Sequence, residues 1–181
     1  YASLLRIKQH LELPGMKYDY IKTFVTNVKG ADKDVEFMGY TFNFAKMNGA
    51  VLDKMLKTVL FAVQFPDANT IRYTCQYNDF NMEIDAPIEV DGNKMTIKMS
   101  ANDPIFHDVV VYTFQDQDNT QMHMYMPVSS FENFLANTAV EMLANDGKLD
   151  LNDAAAVKAI FDEVEAAIET INVSFIFKTA K

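Results

Sequence analysis

The sequence predicts a mainly β fold, an antiparallel meander of about eight strands that closes into a barrel, with one early helix and two helices before the last strand. Three observations predict it. Apolar and polar residues alternate along most of the chain, turn residues separate the alternating runs, and helical spacing of apolar residues is confined to a few segments. A closed barrel is favoured because it covers one face of every strand and leaves no exposed edge.

Length and composition favour a single domain over residues 1–181. The chain has 181 residues, of which 49% are hydrophobic and 23% charged, as is typical of a globular protein. Its 25 acidic and 16 basic residues give a formal net charge of −9, and no cluster of Lys and Arg offsets this charge locally. Because the charge repels phosphate backbones, we expect no nucleic acid partner. No apolar run reaches the roughly 18 residues that a membrane-spanning helix needs.

The first third of the chain is predicted to mix helices and strands. Apolar spacing over residues 4–13 predicts a short helix that ends at Pro14-Gly15. Alternation predicts a strand over 18–28 and a returning strand over 37–44. Apolar residues at spacings of three and four then predict an amphipathic helix from Leu52 to Val63, which packs on the sheet or plugs one end of the barrel.

The middle of the chain is predicted to be a run of antiparallel strands. Asp91-Gly92 tolerates positive φ and predicts a two-residue hairpin of type I′. The lone Cys75 has no partner for an internal disulfide, and its place on an apolar strand face predicts a buried small hydrophobe. The predicted strands cover residues 71–77, 82–90, 95–99, 109–114 and 121–126.

Two helices and a closing strand are predicted at the end of the chain. Ser129-Ser130-Phe131-Glu132 matches a capping box, Gly147 is placed to end the first helix, and Asn152 or Asp153 is placed to cap the second. Alternation over 171–178 predicts the last strand. The apolar stripe of the first helix consists of Phe131, Phe134, Leu135, Thr138, Met142 and Leu143.

No pattern in the sequence predicts catalysis. His10, His107 and His123 lie far apart and have no Cys or Glu at metal-ligand spacing, and neither a Gly-x-Ser-x-Gly motif nor a Gly-rich phosphate loop is present. We therefore predict a non-enzymatic protein with no catalytic residue and no cofactor. A hydrolase in which Asp or Glu recruits His107 or His123 is the least favoured hypothesis.

One segment, residues 146–153, resembles the second half of a calcium-binding loop. With Gly147 at the sixth position of such a loop, Met142 and Ala144 would occupy the first and third positions, and neither side chain has an oxygen to donate. The end of one helix and the cap of the next explain the segment without metal. No metal ligand is predicted.

Methionine and aromatic residues recur on the apolar faces of the strands. The chain has 11 Met residues, whose flexible and polarizable side chains adapt to varied apolar ligands. They either line a cavity that binds a ligand or fill the core of a small barrel, and the sequence leaves both alternatives open. The candidate ligand-binding residues of the barrel interior are Tyr73, Tyr77, Met95, Met99, Met122, Met124, Met126, Phe175 and Phe177.

The last third of the chain resembles a known group of domains. The residues that carry the resemblance are the run 122–127, then Phe131 and Leu135, and the terminal run 172–178. This part resembles the lipocalin-like (calycin-like) domains of secreted lipoproteins from Bacteroidetes, most of them of unknown function. The resemblance implies a lipocalin-like barrel in the periplasm or on the outer cell surface, attached to the membrane only through a lipid anchor on a Cys upstream of Tyr1.

Together these observations predict a non-enzymatic cell-envelope protein that binds a small hydrophobic, lipid-like ligand inside a β-barrel. The alternative is a filled barrel that acts as a structural module or as an interaction module for protein or glycan. The sequence identifies no protein partner.

Overall fold

The computed structural model describes residues 6–29, 34–37, 40–43, 50–77, 80–167 and 170–180, and these residues form ten strands, three α-helices and one 3₁₀ helix. The helices are α1 (Ala50–Thr58), α2 (Val128–Asn145) and α3 (Ala154–Ala167), and the 3₁₀ helix covers Met99–Ala101. The strands are β1 (Lys17–Lys29), β2 (Asp34–Phe37), β3 (Tyr40–Asn43), β4 (Ala62–Asp67), β5 (Thr70–Tyr77), β6 (Phe80–Asp91), β7 (Lys94–Ile97), β8 (Val109–Gln115), β9 (Gln121–Met126) and β10 (Thr170–Thr179).

Eight of these strands form a closed antiparallel barrel in the order β1-β10-β9-β8-β7-β6-β5-β4. From β4 to β10 each strand is bonded to the next one along the chain, and β1 closes the ring between β10 and β4. The prediction of a barrel meander with one early helix and two helices before the last strand is confirmed. The closure is uneven, because β1 pairs with β10 along most of its length but with β4 only from Lys17 to Asp19.

Strict alternation directs one side chain in two to the barrel interior. On β9, Met122, Met124 and Met126 are buried and the residues between them are only half-buried. On β8, Thr113 and Gln115 are the polar members of the buried set. The inward side chains of all eight barrel strands join one hydrophobic core, to which α2 and α3 add residues.

The predicted helix from Leu52 to Val63 is wrong at its second half, because α1 ends at Thr58 and Ala62 begins β4. Leu60 stops the helix, since its φ of 48° is left-handed. Val63 then pairs with Tyr18 of β1 and Tyr73 of β5, so it belongs to the barrel wall. Periodicity did not separate these elements because the short strand continues the apolar spacing of the helix.

The predicted strand over 37–44 does not join the barrel. Its described residues lie in β2 and β3, which form a separate two-stranded hairpin from Asp34↔Asn43 to Phe37↔Tyr40. Residues 38, 39 and 44 lie outside the described residues. The barrel therefore still has eight strands, since β4 takes the place that the sequence assigned to this segment.

The segment Arg6–Met16 covers one end of the barrel, which we call the N-terminal end. The sequence predicted a helix over residues 4–13, but residues 6–13 are not helical, so this prediction is wrong. Residues 4 and 5 lie outside the described residues. Ile7 instead forms a β-bridge with Asp116. Leu13 is buried in the core, and Gly15 N–H donates to the Phe65 carbonyl (2.8 Å). Long-range pairing has replaced helix formation here.

The opposite, helical end of the barrel is covered by α1 and α2. Asp53 joins α1 to β1, because its carboxylate accepts hydrogen bonds from the Tyr20 hydroxyl (2.6 Å) and from the backbone N–H of Thr23. Burial alone would raise the Asp53 pKa, but the hydrogen bonds from Tyr20 and Lys57 lower it. Asp53 therefore blocks part of the β1 edge that β4 leaves uncovered.

The predicted capping box of α2 is wrong, because the N-cap residue is Pro127 and it makes no side-chain capping bond. The Ser130 hydroxyl instead accepts a hydrogen bond from Val110 N–H (3.1 Å) and ties α2 to β8. Gly147, with φ 70°, ends the helix as predicted, and Lys148 N–H donates to the Leu143 carbonyl (2.9 Å) in a Schellman motif.

Residues 146–153 form the connection between two helices. Asp153, one of the two predicted caps, accepts a hydrogen bond from Ala156 N–H (3.1 Å) at the start of α3. Asp150 accepts one from Asn152 N–H (2.9 Å). The two carboxylates are thus used within the loop itself.

The predicted hairpin at Asp91-Gly92 is confirmed, since Asp91 pairs with Lys94 around a two-residue loop. Gly92 has a φ of 61°, whereas Asn93 is not among the residues with positive φ. This pattern is typical of a type II′ turn and corrects the predicted type I′.

Candidate functional site

The nine candidate residues of the barrel interior divide into three groups. Tyr73 is half-buried, and the side chain of Tyr77 lies outside the described residues. Met99 follows β7 on the 3₁₀ helix rather than continuing the strand, but its side chain is also buried. The buried candidates, all members of the core, are Met95, Met99, Met122, Met124, Met126, Phe175 and Phe177.

The interior is tightly packed towards the N-terminal end. The Phe65 side chain is fully buried and meets the Tyr18 ring edge-on, with the ring centroids 6.3 Å apart. Gln115 is also fully buried. It accepts a hydrogen bond from Glu12 N–H (2.6 Å) and donates to the Glu12 carbonyl (3.0 Å) and the Tyr18 hydroxyl (2.7 Å). This end of the barrel is therefore closed by a satisfied polar contact over an aromatic layer.

Burial decreases along β5 and β6 towards the helical end. Near the N-terminal end, the paired residues Ile71 and Ala86 are 2% and 1% exposed. The next inward pairs, Tyr73 with Ile84 and Cys75 with Met82, are half-buried. The cause is the register: β7 pairs only with the last four residues of β6, from Ile88 to Asp91, so the earlier part of β6 extends beyond it.

Two polar groups accompany this half-buried apolar surface. The Tyr73 hydroxyl donates to the Met99 sulfur (3.2 Å), which is a weak acceptor. Burial raises the Tyr73 pKa, and the Glu141 charge on α2 raises it further. Burial also raises the pKa of Glu141 itself. A hydroxyl and a carboxyl group are thus held in an apolar setting, the combination that orients ligands in small-molecule sites.

Cys75 is half-buried, which corrects the prediction of a buried residue. Burial raises the pKa of its thiol, so the thiol form is favoured over the reactive thiolate. Its position on the inward face of β5 is as predicted from the alternation.

The residues just before β4 cross between β1 and β5, since Tyr20 N–H donates to the Phe61 carbonyl (3.1 Å) and Gln76 N–H donates to the Val59 carbonyl (2.6 Å). A cavity of about 510 Å³ lies at this crossing, and we call it the seam groove. Its apolar side chains include Leu56 and Phe61, which also pack against the core. Phe61 contacts Phe177 and Tyr20 with ring centroids 5.7 and 6.2 Å apart. The groove is lined by Asp19, Tyr20, Leu56, Lys57, Leu60, Phe61, Ala62, Thr74 and Gln76.

The seam groove was not predicted from the sequence. Its existence depends on where β4 starts, and the sequence analysis assigned that segment to a helix. Leu60 marks the site only in the structure, since its left-handed backbone is strained and strained residues cluster at functional sites. Its side chain is 62% exposed at the groove. No composition or spacing rule identifies such a residue in advance.

The two histidines considered for catalysis hold structural contacts. The His107 ring stacks on Phe161 with centroids 3.9 Å apart, and its Nδ1 lies 3.2 Å from the Asn133 side-chain oxygen. His123 Nε2 lies 3.3 Å from the Gln121 side-chain oxygen. Burial lowers the His123 pKa, against the opposing charge of Asp116.

Asn137 holds the loop before β8 against α2. Its side chain accepts a hydrogen bond from His107 N–H (3.0 Å) and donates to the His107 carbonyl (2.8 Å). A buried asparagine that satisfies both backbone groups of one residue fixes the position of α2 over the barrel.

Two features are absent from the described part of the chain. There, no group of three or more His, Cys, Asp or Glu side chains could hold a metal ion. Within the same ranges, no helix is both long and apolar enough to cross a bilayer.

Comparisons of the chain with protein-family models, with curated proteins and with solved structures found no match. The lipocalin-like resemblance therefore stays a prediction, and the observed barrel confirms only the predicted fold class.

Proposed function

We propose that the protein is a non-enzymatic binder of a small, mainly apolar ligand, which occupies the seam groove at the helical end of the barrel. The observation that carries the proposal is the groove of about 510 Å³, whose lining includes Leu56 and Phe61, two side chains that also pack against the core. Its volume is within the range of small-molecule sites, about 300–1,000 Å³. The proposal assigns no catalytic residue.

The chemistry of the lining restricts the ligand. Leu56 and Phe61 offer an apolar floor, and burying a ligand chain on it contributes roughly 25 cal/mol per Å² of apolar surface. Thr74 and Gln76 add hydrogen-bonding groups at the edge. A lipid-like molecule with one polar head group satisfies both parts.

The binding proposal is tested with protein purified from its own organism and with a fatty-acid panel. Native mass spectrometry should show one bound lipid per chain, and a fluorescent fatty acid should bind and be displaced by members of the panel. An empty protein, with no binding of the probe and no thermal shift from the panel, would contradict the proposal.

A matched pair of variants locates the site. Ala62→Phe fills the groove without removing a core side chain. It should lower the affinity for the fluorescent fatty acid about tenfold or more, which corresponds to a loss of at least about 1.4 kcal/mol of binding free energy. Ala155→Phe makes the same change on an exposed position of α3 and should leave the affinity unchanged. Equal affinities in the two variants would place the ligand elsewhere.

The envelope location rests on the family resemblance alone. We propose attachment through a lipid anchor in the periplasm or on the outer surface. Metabolic labelling of the full-length gene product with a palmitate analogue, followed by fractionation, tests it. An unlabelled product outside the membrane fractions would reject this location without affecting the binding proposal.

A further inference from the structure

Two helices of the chain end in the same motif but with different residues at its left-handed position. In α1, Leu60 N–H donates to the Lys57 carbonyl (3.2 Å), and Phe61 N–H donates to the Leu56 carbonyl (3.1 Å). These two bonds define a Schellman motif, in which one residue takes a left-handed backbone and is usually glycine. In α2 that residue is Gly147, with φ 70°, whereas in α1 it is Leu60, with φ 48°.

Leucine is unfavourable at this position for two reasons. A left-handed backbone brings the Cβ atom of an L-residue close to the following carbonyl oxygen, and glycine avoids this contact because it has no Cβ. The Leu60 side chain is also 62% exposed, the highest value among the large hydrophobic residues of the described ranges. Unlike the nearby Leu56 and Phe61, it does not pack against the core. Neither the backbone nor the core therefore explains why this residue is leucine.

The position of Leu60 at the seam groove offers an explanation. Leu60 lines the groove together with Leu56 and Phe61. The latter two are half-buried and form the floor of the groove, whereas Leu60 is exposed and lies at its rim. A ligand chain that covers the floor would also cover Leu60 and remove its apolar surface from water. The exposed leucine is then favourable in the complex, although it is unfavourable in the free protein.

We propose that Leu60 is a ligand-binding residue of the seam groove, and that it replaces the usual glycine because its side chain packs against the apolar chain of the bound ligand. The inference rests on the proposed function and adds the residue that holds the ligand at the rim. The part of the ligand beside Leu60 is hydrocarbon, since a leucine side chain forms no hydrogen bond. Any polar head group lies towards Thr74 and Gln76, which supply hydrogen-bonding groups at the edge.

Replacement of Leu60 by glycine should have opposite effects on stability and on affinity, as is typical of strained residues at functional sites. Without ligand, Leu60→Gly should raise the melting temperature by about 2–4 °C, because the left-handed strain is relieved in a chain of this size. The same variant should bind the fluorescent fatty acid about fivefold or more weakly, because the leucine no longer covers the ligand chain. Thermal denaturation and fluorescence titration measure the two effects.

Two other substitutions of Leu60 separate the lost contact from a more flexible helix end. Leu60→Asn relieves the strain without the flexibility of glycine, because asparagine tolerates a left-handed backbone. It should be more stable than the unsubstituted protein and still bind the fatty acid less tightly, because its side chain is polar. Leu60→Met keeps both the strain and the apolar contact, so its affinity should change by less than about twofold.

The same motif at the end of α2 supplies the matched control. Gly147→Leu places a leucine in the same left-handed conformation, at a position where an added Cβ meets no heavy atom within 4 Å beyond its chain neighbours. This variant should lower the melting temperature by about 2–4 °C, the reverse of the effect of Leu60→Gly. It should leave the fatty-acid affinity unchanged, because Gly147 does not line the groove.

Two results would overturn the role of Leu60 alone. The first is a lower melting temperature of Leu60→Gly, which would show that the leucine stabilises the helix end. The second is fatty-acid binding that Ala62→Phe weakens and Leu60→Gly leaves unchanged. Failure of the proposed function gives a different result, in which the unsubstituted protein does not bind the fatty acid or Ala62→Phe does not weaken binding, and the role of Leu60 then falls with it.

Discussion

The two ends of the barrel interior are built from the same kinds of residue but packed differently. At the N-terminal end, Phe65 and Tyr18 are fully buried and Gln115 closes the layer with three hydrogen bonds. At the helical end, Tyr73 and Ile84 are half-buried and the seam groove lies beside the start of β4. The difference teaches that strand register, rather than composition, decides which part of a small barrel is core and which part is accessible.

The largest expected effect compares two phenylalanines. Phe65→Ala leaves a cavity in the packed end and should lower the free energy of unfolding by about 3–5 kcal/mol. Phe61→Ala, at the half-buried groove floor, should cost about half as much because the side chain loses less burial. Urea denaturation of both variants measures the difference.

Substitutions at the two ends should also differ in their effect on ligand affinity. Phe61→Ala should weaken fatty-acid binding, whereas the milder Phe65→Leu, which keeps most of the core volume, should not. Equal losses of stability from Phe65→Ala and Phe61→Ala, or equal losses of affinity from Phe61→Ala and Phe65→Leu, would show that the two ends do not differ as described.

Two carboxyl groups, one at each end of the barrel, allow the ends to be compared through the pH dependence of stability. Asp116, at the N-terminal end, accepts hydrogen bonds from Thr120 N–H (2.8 Å) and Gln121 N–H (2.9 Å) and from the Thr120 hydroxyl. Burial alone would raise its pKa, but these bonds lower it from the ordinary value of 3.8. Its contribution to stability is therefore complete above pH 3.8 and lost as the pH falls through the lowered pKa.

Asp116→Asn should lower the free energy of unfolding by about 1–2 kcal/mol at neutral pH, because an amide replaces a carboxylate that accepts several bonds. The difference from the unsubstituted protein should shrink in acid. Denaturation midpoints measured across the acid range test this expectation. A difference that stays constant with pH would show that Asp116 does not titrate as inferred.

Glu141, at the helical end, should give the opposite dependence of stability on pH. Burial raises its pKa above 4.5, so its contribution is complete below that pH and lost as the pH rises through the raised pKa. Glu141→Gln should therefore be slightly more stable than the unsubstituted protein at neutral pH and equal to it in acid. The same titration series measures both carboxyl variants, and a loss of stability at neutral pH would contradict the assignment.

A further small effect concerns Thr113, which is fully buried on β8. Its buried hydroxyl has no hydrogen-bond partner among the described residues. Thr113→Val keeps the shape and removes the unpaired group, so it should raise the free energy of unfolding by about 1 kcal/mol. Thermal and urea denaturation measure it. A destabilised variant would show that the hydroxyl is bonded inside the barrel and that the interior is not a dry core.

Much of the fold could be predicted because alternation is a local signal. The inward positions of Met122, Met124 and Met126 followed from spacing alone, as did the helix end at Gly147. The predicted stripe of α2 is wrong at Met142, which is 54% exposed, and at Thr138, which is also exposed, whereas Val140, outside the predicted stripe, is buried. Which residues of such a helix are buried depends on the elements that pack against it, and the spacing of apolar residues does not reveal these elements.

The candidate site was predictable only in part. Tyr73 and Met99 were among the predicted residues, and the structure joins them by a hydrogen bond at the helical end. Leu56, Phe61 and Ala62 were missed, because a short strand follows α1 after only a few residues and continues its apolar spacing. Glu141 was missed because a single carboxylate on a helix gives no signal until the helix is placed over the barrel.

The sequence by itself determined the strand alternation, the meander order and the residues that face inward, since each depends on neighbours along the chain. Tertiary structure alone decided that β1 closes the ring between β10 and β4, that Ala62–Asp67 is a strand, and that the seam groove lies beside the start of this strand. These features depend on the register between segments far apart in the chain, and the free energy that sets it comes from contacts that no local pattern contains.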